Sequence, residues 1–551
     1  MAKRSLKASS SGIAIAKRSF QRTGWTQEYL AGEVGLETRQ SIWKFFSGRP
    51  VERHIFIDIC FRLDLEWQDI AEPPEVDPLP AKTTSGKQLT DWVTQLRAAS
   101  QSQIMASCDP LQSPLPLPQP RTLTQSYVPA EALSHLSAQR WLSIDELSTH
   151  TANTLLLPPD LKRLDAHTIA TQNSHIVVTG RLGIGKTTFL KHLALDCIAG
   201  RFRPDCVPIF LSLQQIQAQL PNMSCLSELV QRALPQTADL QTRLDTLLSE
   251  GRILLLLDGI DEISESAKAA LFDQVRACFQ RFPKLPIILS HRTASNYACL
   301  PGFRYLELAA FSDEQILSFA QRWYSPEDGK ETAPGQGLTL EAFQNAIFQA
   351  DNQSLLDLAR TPLLLTVICA IFQQRNTLPQ QTSRLFRICW DLLQEGWDRS
   401  RGIVRNPHGF SPHTKTEKSV LLNILSQLAA LATDQSCYFF SRRTLLQTIA
   451  QYLIESGTVT ASPQKLYEQS EALLEMILTD TGLLIHQAQD IYSLPTAGFY
   501  TYLTEQKLAV YKLLPAGKAF KALTRSLESS DWPRPALARL GLAPAPQIAA
   551  Q

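Results

Sequence analysis

Short apolar runs alternate with helical patterns between residues 126 and 312. Each run is continuously hydrophobic rather than alternating, which indicates strands buried on both faces of a parallel sheet covered by helices. The runs are HIVVTG, VPIFLSL, RILLLLDG, LPIILSHR and YLELAAF. The pattern therefore predicts an α/β domain in this part of the chain.

The segments on both sides of this domain have mainly helical patterns. Residues 72–125 differ, because Pro, Ser and Gln are frequent around one short helical patch, and this composition predicts a linker. The chain ends in RPALARLGLAPAPQIAAQ, which predicts a short tail. We therefore expect a helical domain at 1–71, a linker with a short helix at 72–125, the α/β domain at 126–312, a helical domain at 313–410, a further domain at 411–510 and a tail at 511–551.

The overall composition is that of a soluble globular protein. The 551 residues are 44% hydrophobic and 19% charged, with a formal net charge of +1, which excludes a wholly basic nucleic-acid coat protein. The ten cysteines form no Cys-x-x-Cys pair and no zinc-like spacing, as expected of thiols in a reducing cytosol. The N-terminus lacks an apolar signal region, and the apolar run LLLTVICAIF is about half of a membrane span. We expect a cytoplasmic protein with no membrane partner.

A phosphate-binding loop follows the first apolar run. The pattern G-x-x-x-x-G-K-[ST] is matched without mismatch, between a predicted strand and a predicted helix. Backbone N–H groups of such a loop surround phosphate oxygens, the lysine reaches the β- and γ-phosphates, and the hydroxyl of the next residue binds Mg²⁺. The candidate nucleotide-binding residues are Gly180, Arg181, Leu182, Gly183, Ile184, Gly185, Lys186, Thr187 and Thr188. The sequence therefore predicts ATP or GTP binding.

Three carboxylates mark the end of the run RILLLLDG. A carboxylate that closes an apolar run is costly to bury without a partner, so Asp258 indicates a nearby cation, and P-loop proteins hold Mg²⁺ at this place. Asp261 and Glu262 follow directly and could position or deprotonate an attacking water. The alternative for these two residues is a solvated turn or a charge pair at a helix N-terminus.

The sequences of these motifs resemble those of NACHT NTPases, which are relatives of NOD-like receptors within the STAND class of signalling ATPases. The resemblance rests on LLLLDGIDE, VVTGRLGIGKTTFLKHLA and ILSHRTASNY. It implies an α/β P-loop NTPase fold, flanked by an N-terminal helical domain and by C-terminal helical and winged-helix domains. It also implies that Arg292 senses the γ-phosphate as sensor 1. The alternative for Arg292 is a surface cation at a strand end.

Two residues nearer the C-terminus acquire a role only through this resemblance. The segment ARTPLLLTVICAIF resembles the helical domain behind the nucleotide, which implies that Pro362 packs against adenine; without the family it is a helix-starting proline. The segment TGLLIHQAQDIYSLPTAGFYTYLTEQKLA resembles the winged-helix domain that closes over ADP. The sequence departs from the family there, because Thr496 stands where a histidine usually contacts the β-phosphate.

The resemblance implies a molecular switch rather than a metabolic enzyme. ADP would hold the domains closed, and exchange for ATP with Mg²⁺ would open the chain and allow a homo-oligomer to form, with slow hydrolysis as a timer. Bacterial defence against phage or a stress response is the process that the family implies. The sequence contains no recognisable effector domain and no sensor repeats, so an unknown trigger or effector protein is expected as a partner.

The N-terminal segment allows two interpretations. GWTQEYLAGEVGLETRQSIWKFFSGRP resembles a helix-turn-helix, with Thr26 as N-cap and 38–46 as recognition helix. Residues 1–71 contain 11 Lys and Arg against 8 Asp and Glu, a small positive excess. The residues expected to contact DNA bases or phosphates are Arg39, Gln40, Ser41, Lys44, and the basic arm of Lys3, Arg4, Lys7, Lys17, Arg18 and Arg22. The sequence thus predicts either a nucleotide-controlled, DNA-binding transcriptional regulator or a small helical module that binds a protein.

Overall fold

The computed structural model describes most of the chain between residues 5 and 513. The described ranges are 5–23, 25–34, 36, 38–63, 65, 70–72, 86–113, 121–148, 161–222, 225–235, 240–292, 300–324, 339–375, 377–378, 382–391, 415–435, 437–455, 463–478 and 482–513. The predicted tail beyond Leu513 and the basic residues Lys3 and Arg4 lie outside them. The chain divides into two units, Met1–Ser85 and Gly86–Gln551, which are described separately.

The first unit is a small helical domain. Strand β1 (Ser5–Leu6) pairs antiparallel with β2 (Val51–Glu52). Its helices are Ser10–Thr23, Gln27–Glu33, Gln40–Phe46 and Arg53–Arg62. The second helix begins after Thr26, whose side chain accepts a hydrogen bond from the backbone N–H of Tyr29 at 3.2 Å, as expected of an N-cap. The shared core includes Leu30, Ala31, Ile42, Phe45 and Phe56.

A five-stranded parallel sheet forms the centre of the second unit. The strands of this unit up to residue 307 are β3 (Glu131–Leu133), β4 (Arg163–Asp165), β5 (His175–Thr179), β6 (Val207–Ser212), β7 (Ile253–Asp258), β8 (Ile287–His291) and β9 (Arg304–Glu307). The strand order of the large sheet is β6-β7-β8-β5-β9, and every pair in it is parallel. Each of its strands comes from one of the apolar runs, so the predicted α/β fold is confirmed.

Both faces of this sheet are covered, which explains the unbroken hydrophobicity of β7. Successive side chains of a strand point to opposite faces. Ile253, Leu255 and Leu257 pack into one apolar cluster, whereas Leu254 and Leu256 pack into the other. The covering helices are Ala166–Gln172, Lys186–Ile198, Leu226–Ala233, Leu240–Ser249 and Glu265–Arg281, with short helices at Leu123–Ser126, Ile144–Ser148 and Leu213–Ile216.

The helix Gly86–Cys108 lies within the predicted linker 72–125, where the sequence pattern indicates one short helix. It has 23 residues and packs against the edge strand β6 and the helix Lys186–Ile198. Its apolar residues Leu89, Trp92, Val93 and Leu96 are buried in the core of the sheet. Its second half is rich in Ser and Gln but buries Ile104 and Cys108 in the other core of the sheet.

The described residues after β9 are helical as far as Gln435. Their helices are Asp313–Tyr324, Thr339–Ile347, Gln353–Ala359, Pro362–Arg375, Thr382–Asp391 and Lys415–Gln435. These helices share one apolar cluster with the segment that follows and with Leu182 of the P-loop. The phosphate-binding loop, which follows a strand of the sheet, therefore also packs against the helices behind it.

The last described segment combines helices with a small antiparallel sheet. Strands β10 (Phe440–Ser441), β11 (Ile485–Ala488) and β12 (Ile491–Ser493) are ordered β10-β12-β11. The helices are Arg442–Glu455, Pro463–Met476 and Ala497–Leu513. The winged-helix assignment of 411–510 stays a prediction. Across the ranges that the structure describes, no helix combines the length and the apolar character needed to cross a bilayer.

Candidate functional site

Asp258 lies at the carboxyl end of β7 and is almost completely buried, at 1% exposure. The Ser290 hydroxyl donates a hydrogen bond to Asp258 Oδ1 at 2.6 Å, and the Thr187 hydroxyl donates to the same atom at 3.1 Å. The backbone N–H of Gly259 in turn donates to Ser290 Oγ at 2.8 Å. The two residues that the sequence assigns to Mg²⁺ are therefore adjacent, and Ser290 holds the carboxylate in place.

The oxygens of this pair fit a magnesium ion. Mg²⁺ takes oxygen ligands and is usually held by one or two carboxylates, with the remaining positions filled by water and substrate phosphates. The Thr187 hydroxyl and the Asp258 carboxylate provide two such oxygens 3.1 Å apart. Among the described residues, no group of three or more His, Cys, Asp and Glu side chains is arranged to hold a metal without further ligands.

The P-loop connects β5 to the helix Lys186–Ile198. Gly180, Gly183 and Gly185 all have positive φ angles, of 149°, 76° and 104°, which residues with a Cβ rarely adopt. The Lys186 ammonium donates to the carbonyl of Gly180 at 2.6 Å and to that of Arg181 at 3.1 Å. Burial lowers the pKa of Lys186 to about 8, although the nearby carboxylate of Asp261 opposes the shift. A phosphate group bound here would provide a full negative charge opposite the Lys186 ammonium.

Arg292 and Asp261 form a buried ion pair at the end of β8. Arg292 Nε lies 2.8 Å from Asp261 Oδ2, and the backbone N–H of Arg292 donates to Oδ1 at 3.1 Å. Both side chains are less than 10% exposed. The structure thus joins two residues that the sequence assigns to separate roles. The burial of this pair excludes a surface cation for Arg292 and a solvated turn for Asp261.

Glu262 ends the short 3-10 turn Ile260–Glu262 that follows β7. The turn follows Gly259, whose φ of 86° is a conformation that residues with a Cβ rarely adopt. A Cβ there would also lie 2.7 Å from Glu262 Oε2, so the glutamate side chain would have to shift. Glu262 lines the same cavity as Lys186, Asp258 and Arg292. The three predicted carboxylates therefore line one cavity, and Asp261 is ion-paired with Arg292.

The cavity above the P-loop continues between the sheet and the helices behind it. Its lining comprises Leu111, Gln112, Leu123, Ser126, Tyr127, Val128, Ala130, Leu182 to Thr188, Asp258, Gly259, Asp261, Glu262, Ser290, Arg292, Phe311, Phe319, Pro362, Leu363 and Thr366. Pro362 is at the predicted place, at the start of the helix Pro362–Arg375. An apolar wall with few polar groups is typical of a site for a nucleotide base.

Three predicted residues are not on this wall. Gly180 and Arg181 contribute their carbonyls to Lys186, and the Arg181 side chain lies near the buried carboxylate of Glu307. Burial lowers the pKa of Arg181 to about 10. Thr496 is 3% exposed and is not a lining residue of the cavity. Its hydroxyl has no hydrogen-bond partner in the described ranges.

Sequence reasoning missed the residues that enter the cavity from before the P-loop. Ser126 is 3% exposed, and within the described part of the chain its hydroxyl lacks a hydrogen-bond partner. Tyr127 stacks on His192 with ring centroids 3.6 Å apart, and its hydroxyl accepts a hydrogen bond from the Ala130 N–H at 3.3 Å. The one available signal was the capping box of Thr122 and Gln125, which starts a helical turn directly before Ser126.

Comparisons with known proteins agree with this geometry. The NACHT domain model matches residues 174–327. The chain is 24% identical to NACHT, LRR and PYD domains-containing protein 10 of Mus musculus over 218 residues, which are 38% of this chain and 29% of that protein. It is also 24% identical to NACHT, LRR and PYD domains-containing protein 9 of Bos taurus over 228 residues, 37% of this chain and 21% of that protein.

The chain therefore spans less than a third of the length of these curated relatives. Among solved structures, a RuvB variant of Thermotoga maritima superposes with a TM-score of 0.24 and 15% identity, over 56% of this chain and 91% of that chain. The predicted resemblance to NACHT NTPases is confirmed for residues 174–327.

Proposed function

Because the chain carries a NACHT domain, which is a P-loop NTPase domain, we propose that it is a nucleotide-controlled signalling switch. In this proposal the chain binds ADP in a closed form, exchanges it for ATP with Mg²⁺, and then forms a homo-oligomer that acts on an effector protein. Hydrolysis returns the switch to its closed form. A bacterial defence or stress response is the process that this activity would serve.

The observation that carries the proposal is the packing of consecutive P-loop residues. Leu182 lies against Gly482, since a Cβ on that glycine would be 2.7 Å from Leu182 Cβ. Gly183 lies against Leu363, whose N–H donates to the Gly183 carbonyl at 3.2 Å, and a Cβ on Gly183 would be 2.8 Å from Leu363 Cβ. A P-loop that adjusts to a bound phosphate would therefore push on both C-terminal segments.

The roles of the site residues follow from their positions. Lys186 would bind the β- and γ-phosphates, and Thr187 and Asp258 would hold Mg²⁺, which neutralises phosphate charge during transfer. Glu262 would orient and deprotonate the attacking water. Arg292 would bind the γ-phosphate, with Asp261 as the residue that positions it.

The energy needed for such a switch is modest. A ligand reverses a two-state equilibrium from 1:99 to 99:1 when it favours one state by about 5.5 kcal/mol. A γ-phosphate that binds both Lys186 and Arg292 differs from ADP by two charge-assisted contacts, each worth roughly 1.5–3 kcal/mol. Contacts between subunits would supply the remainder.

Multi-angle light scattering tests this proposal on the full chain. The wild type is expected to be a monomer with ADP, and Glu262→Gln is expected to form a larger closed particle with ATP and Mg²⁺, because it binds ATP but does not hydrolyse it. Lys186→Ala serves as the control that binds neither nucleotide and stays monomeric. A mass that is independent of nucleotide in all three proteins would exclude the switch.

A second candidate is nucleotide-controlled DNA binding through residues 1–71. The observation in its favour is the exposed start of the helix Gln40–Phe46, where Gln40 is exposed and Trp43 is 46% exposed. Arg39 is less suited to bases than the sequence suggests, because its guanidinium is paired with Glu28. Selection of DNA sites by the full chain, followed by binding assays with Gln40→Ala, tests this candidate. Loss of sequence selectivity in the variant would support it.

A further inference from the structure

A second cavity adjoins the nucleotide site and has no role in the proposed switch. It shares Gln112, Thr187 and Asp258 with the nucleotide cavity, and its other walls include the edge strand β6, the helix Gly86–Cys108 and the short helix Leu213–Ile216. Its volume is about 400 Å³. This is within the range of roughly 300–1,000 Å³ that small-molecule sites occupy.

The helix Gly86–Cys108, which covers this cavity, presents polar side chains to it. Its first half buries an apolar face against the sheet, up to Leu96. Beyond that point, the same side of the helix presents Ser100, Gln103 and Ser107, whose spacing of three and four residues places them on one face. Ile104 and Cys108 continue the buried face of the helix into the other core of the sheet. The three polar side chains line the cavity beside them and are suited to a polar ligand.

Ser100 gives the most direct indication of a ligand. The residue is 4% exposed, and its hydroxyl has no hydrogen-bond partner among the residues that the structure describes. A buried polar group without a partner lowers the stability of the folded chain. A ligand hydroxyl in the cavity would remove this cost.

The remaining wall offers one cation and several amides. The Lys191 side chain is 8% exposed, and its ammonium lies 5.8 Å from the centroid of the Phe210 ring. The amides of Gln103, Gln112, Gln214 and Gln215 line the cavity as well. A single buried cation suits one phosphate group, and amides and hydroxyls suit a polyol.

We propose that this cavity is an effector site for a sugar phosphate, with the phosphate at Lys191 and the sugar hydroxyls at Ser100 and the glutamines. The inference rests on the proposed function in one respect, namely that the effector would act on the nucleotide switch. Thr187 and Asp258 belong to both walls, so a ligand in this cavity would alter the affinity for Mg²⁺ and nucleotide. By linkage, the nucleotide would alter the affinity for the effector by the same factor.

Isothermal titration calorimetry with ribose 5-phosphate tests the site. The probe is titrated into the full chain saturated with ADP and Mg²⁺, so that the P-loop is already occupied. We expect saturable binding with one site per chain. Lys191→Gln is expected to weaken it at least tenfold and Ser100→Ala several-fold, while the melting temperatures confirm that both variants are folded. Ser102→Ala, an exposed serine of the same helix, and Lys465→Gln, an exposed lysine elsewhere, are the matched controls and should bind as the wild type does.

Three results would overturn the proposal. They are the absence of saturable binding, equal binding by Lys191→Gln and wild type, and equally tight binding of inorganic phosphate, which would show an anion site without selection for a sugar. The outcome is independent of the switch, because the titration reports binding whether or not the light-scattering mass changes with nucleotide. Light scattering can therefore show a switch when calorimetry shows no binding of ribose 5-phosphate, and calorimetry can show binding when light scattering shows no switch.

Discussion

Arg292 at the end of β8 and Asp261 after β7 form an ion pair that is shielded from water, with Arg292 Nε 2.8 Å from Asp261 Oδ2. The second oxygen of the carboxylate accepts a hydrogen bond from the Arg292 backbone N–H. Asp261 therefore fixes both the side chain and the backbone of Arg292. Its other predicted role, as a group that activates water, would require this carboxylate to leave its partner.

We expect Asp261→Asn and Arg292→Gln to be strongly destabilising. Removal of one partner leaves a buried charge without compensation, which typically costs about 3–5 kcal/mol. The double variant is expected to lose clearly less than the sum of the two single losses, because it leaves no isolated charge. Urea unfolding of the four proteins measures the coupling. Additive losses would show that the pair contributes nothing beyond its separate residues.

The contact between Gly183 and Leu363 gives a prediction with a matched control. Gly183 and Gly200 both have a φ of 76°. A Cβ on Gly183 would lie 2.8 Å from Leu363 Cβ, whereas a Cβ on Gly200 would meet no atom of the described residues within 4 Å. Both alanine variants incur the strain of a left-handed conformation, roughly 1–2 kcal/mol. Only Gly183→Ala must also move Leu363.

We therefore expect Gly183→Ala to weaken ADP binding by tenfold or more and Gly200→Ala to leave it unchanged. Fluorescence titration with a labelled ADP gives both affinities, and thermal unfolding shows that the strain is comparable. If the two variants bound ADP equally well, the contact of the P-loop with Leu363 would have no influence on the nucleotide.

Ser290 provides a test of the magnesium assignment. Its hydroxyl joins Asp258 Oδ1 to the Gly259 backbone, so Ser290→Ala would free the carboxylate to rotate. Loss of such a supporting contact typically reduces metal affinity about 10–100-fold. We expect Ser290→Ala to need correspondingly more Mg²⁺ for ATP binding in a magnesium titration. Affinity for ATP in EDTA is the internal control, and an equal loss there would contradict a role through the metal.

Site features formed by consecutive residues could be predicted from the sequence. The P-loop and the end of β7 each occupy a few consecutive residues, so their residue types and the adjoining strand were enough to predict the sheet and the group formed by Lys186, Thr187 and Asp258. Pro362 was also predicted at the cavity, although only by way of a family resemblance.

Other features depend on contacts between distant residues, which no local pattern contains. Asp261 and Arg292 are 31 residues apart, and their pairing depends on the order of β7 and β8 in the sheet. Ser126 and Tyr127 reach the cavity from some fifty residues before the P-loop. Thr496 was assigned by alignment to a family position, and the fold places its hydroxyl away from the cavity wall.

Glu307 connects the P-loop to the C-terminal segment and gives a prediction about pH. It is 8% exposed at the end of β9, near Arg181, and it accepts a hydrogen bond from the Ser137 N–H at 2.7 Å. The turn that contains Ser137 continues to Arg140, which donates to the Gln487 carbonyl of β11 at 3.2 Å. Burial raises the pKa of Glu307 to about 7, against the effects of the hydrogen bonds from Ser137 and the charge of Arg181.

The sign of the effect follows from linkage. Because the pKa of Glu307 is higher in the folded chain than its ordinary value of 4.5, the folded chain binds this proton more tightly than the unfolded chain does. The resulting stability is fully present below pH 4.5 and is lost as the pH rises towards 7 and above. A shift of this size corresponds to at most about 3 kcal/mol.

We expect Glu307→Gln to remove this loss, because the amide is neutral at every pH and its carbonyl can still accept the hydrogen bond from Ser137. Urea unfolding at pH 5.5 and pH 8 should show a decline in the free energy of unfolding that is smaller in the variant than in the wild type. Glu250→Gln, which alters a surface carboxylate 3.4 Å from Lys284, is the control and should decline as the wild type does. An unchanged decline in Glu307→Gln would mean that Glu307 is already charged at pH 5.5, and that Arg181 and Ser137 fully offset the cost of its burial.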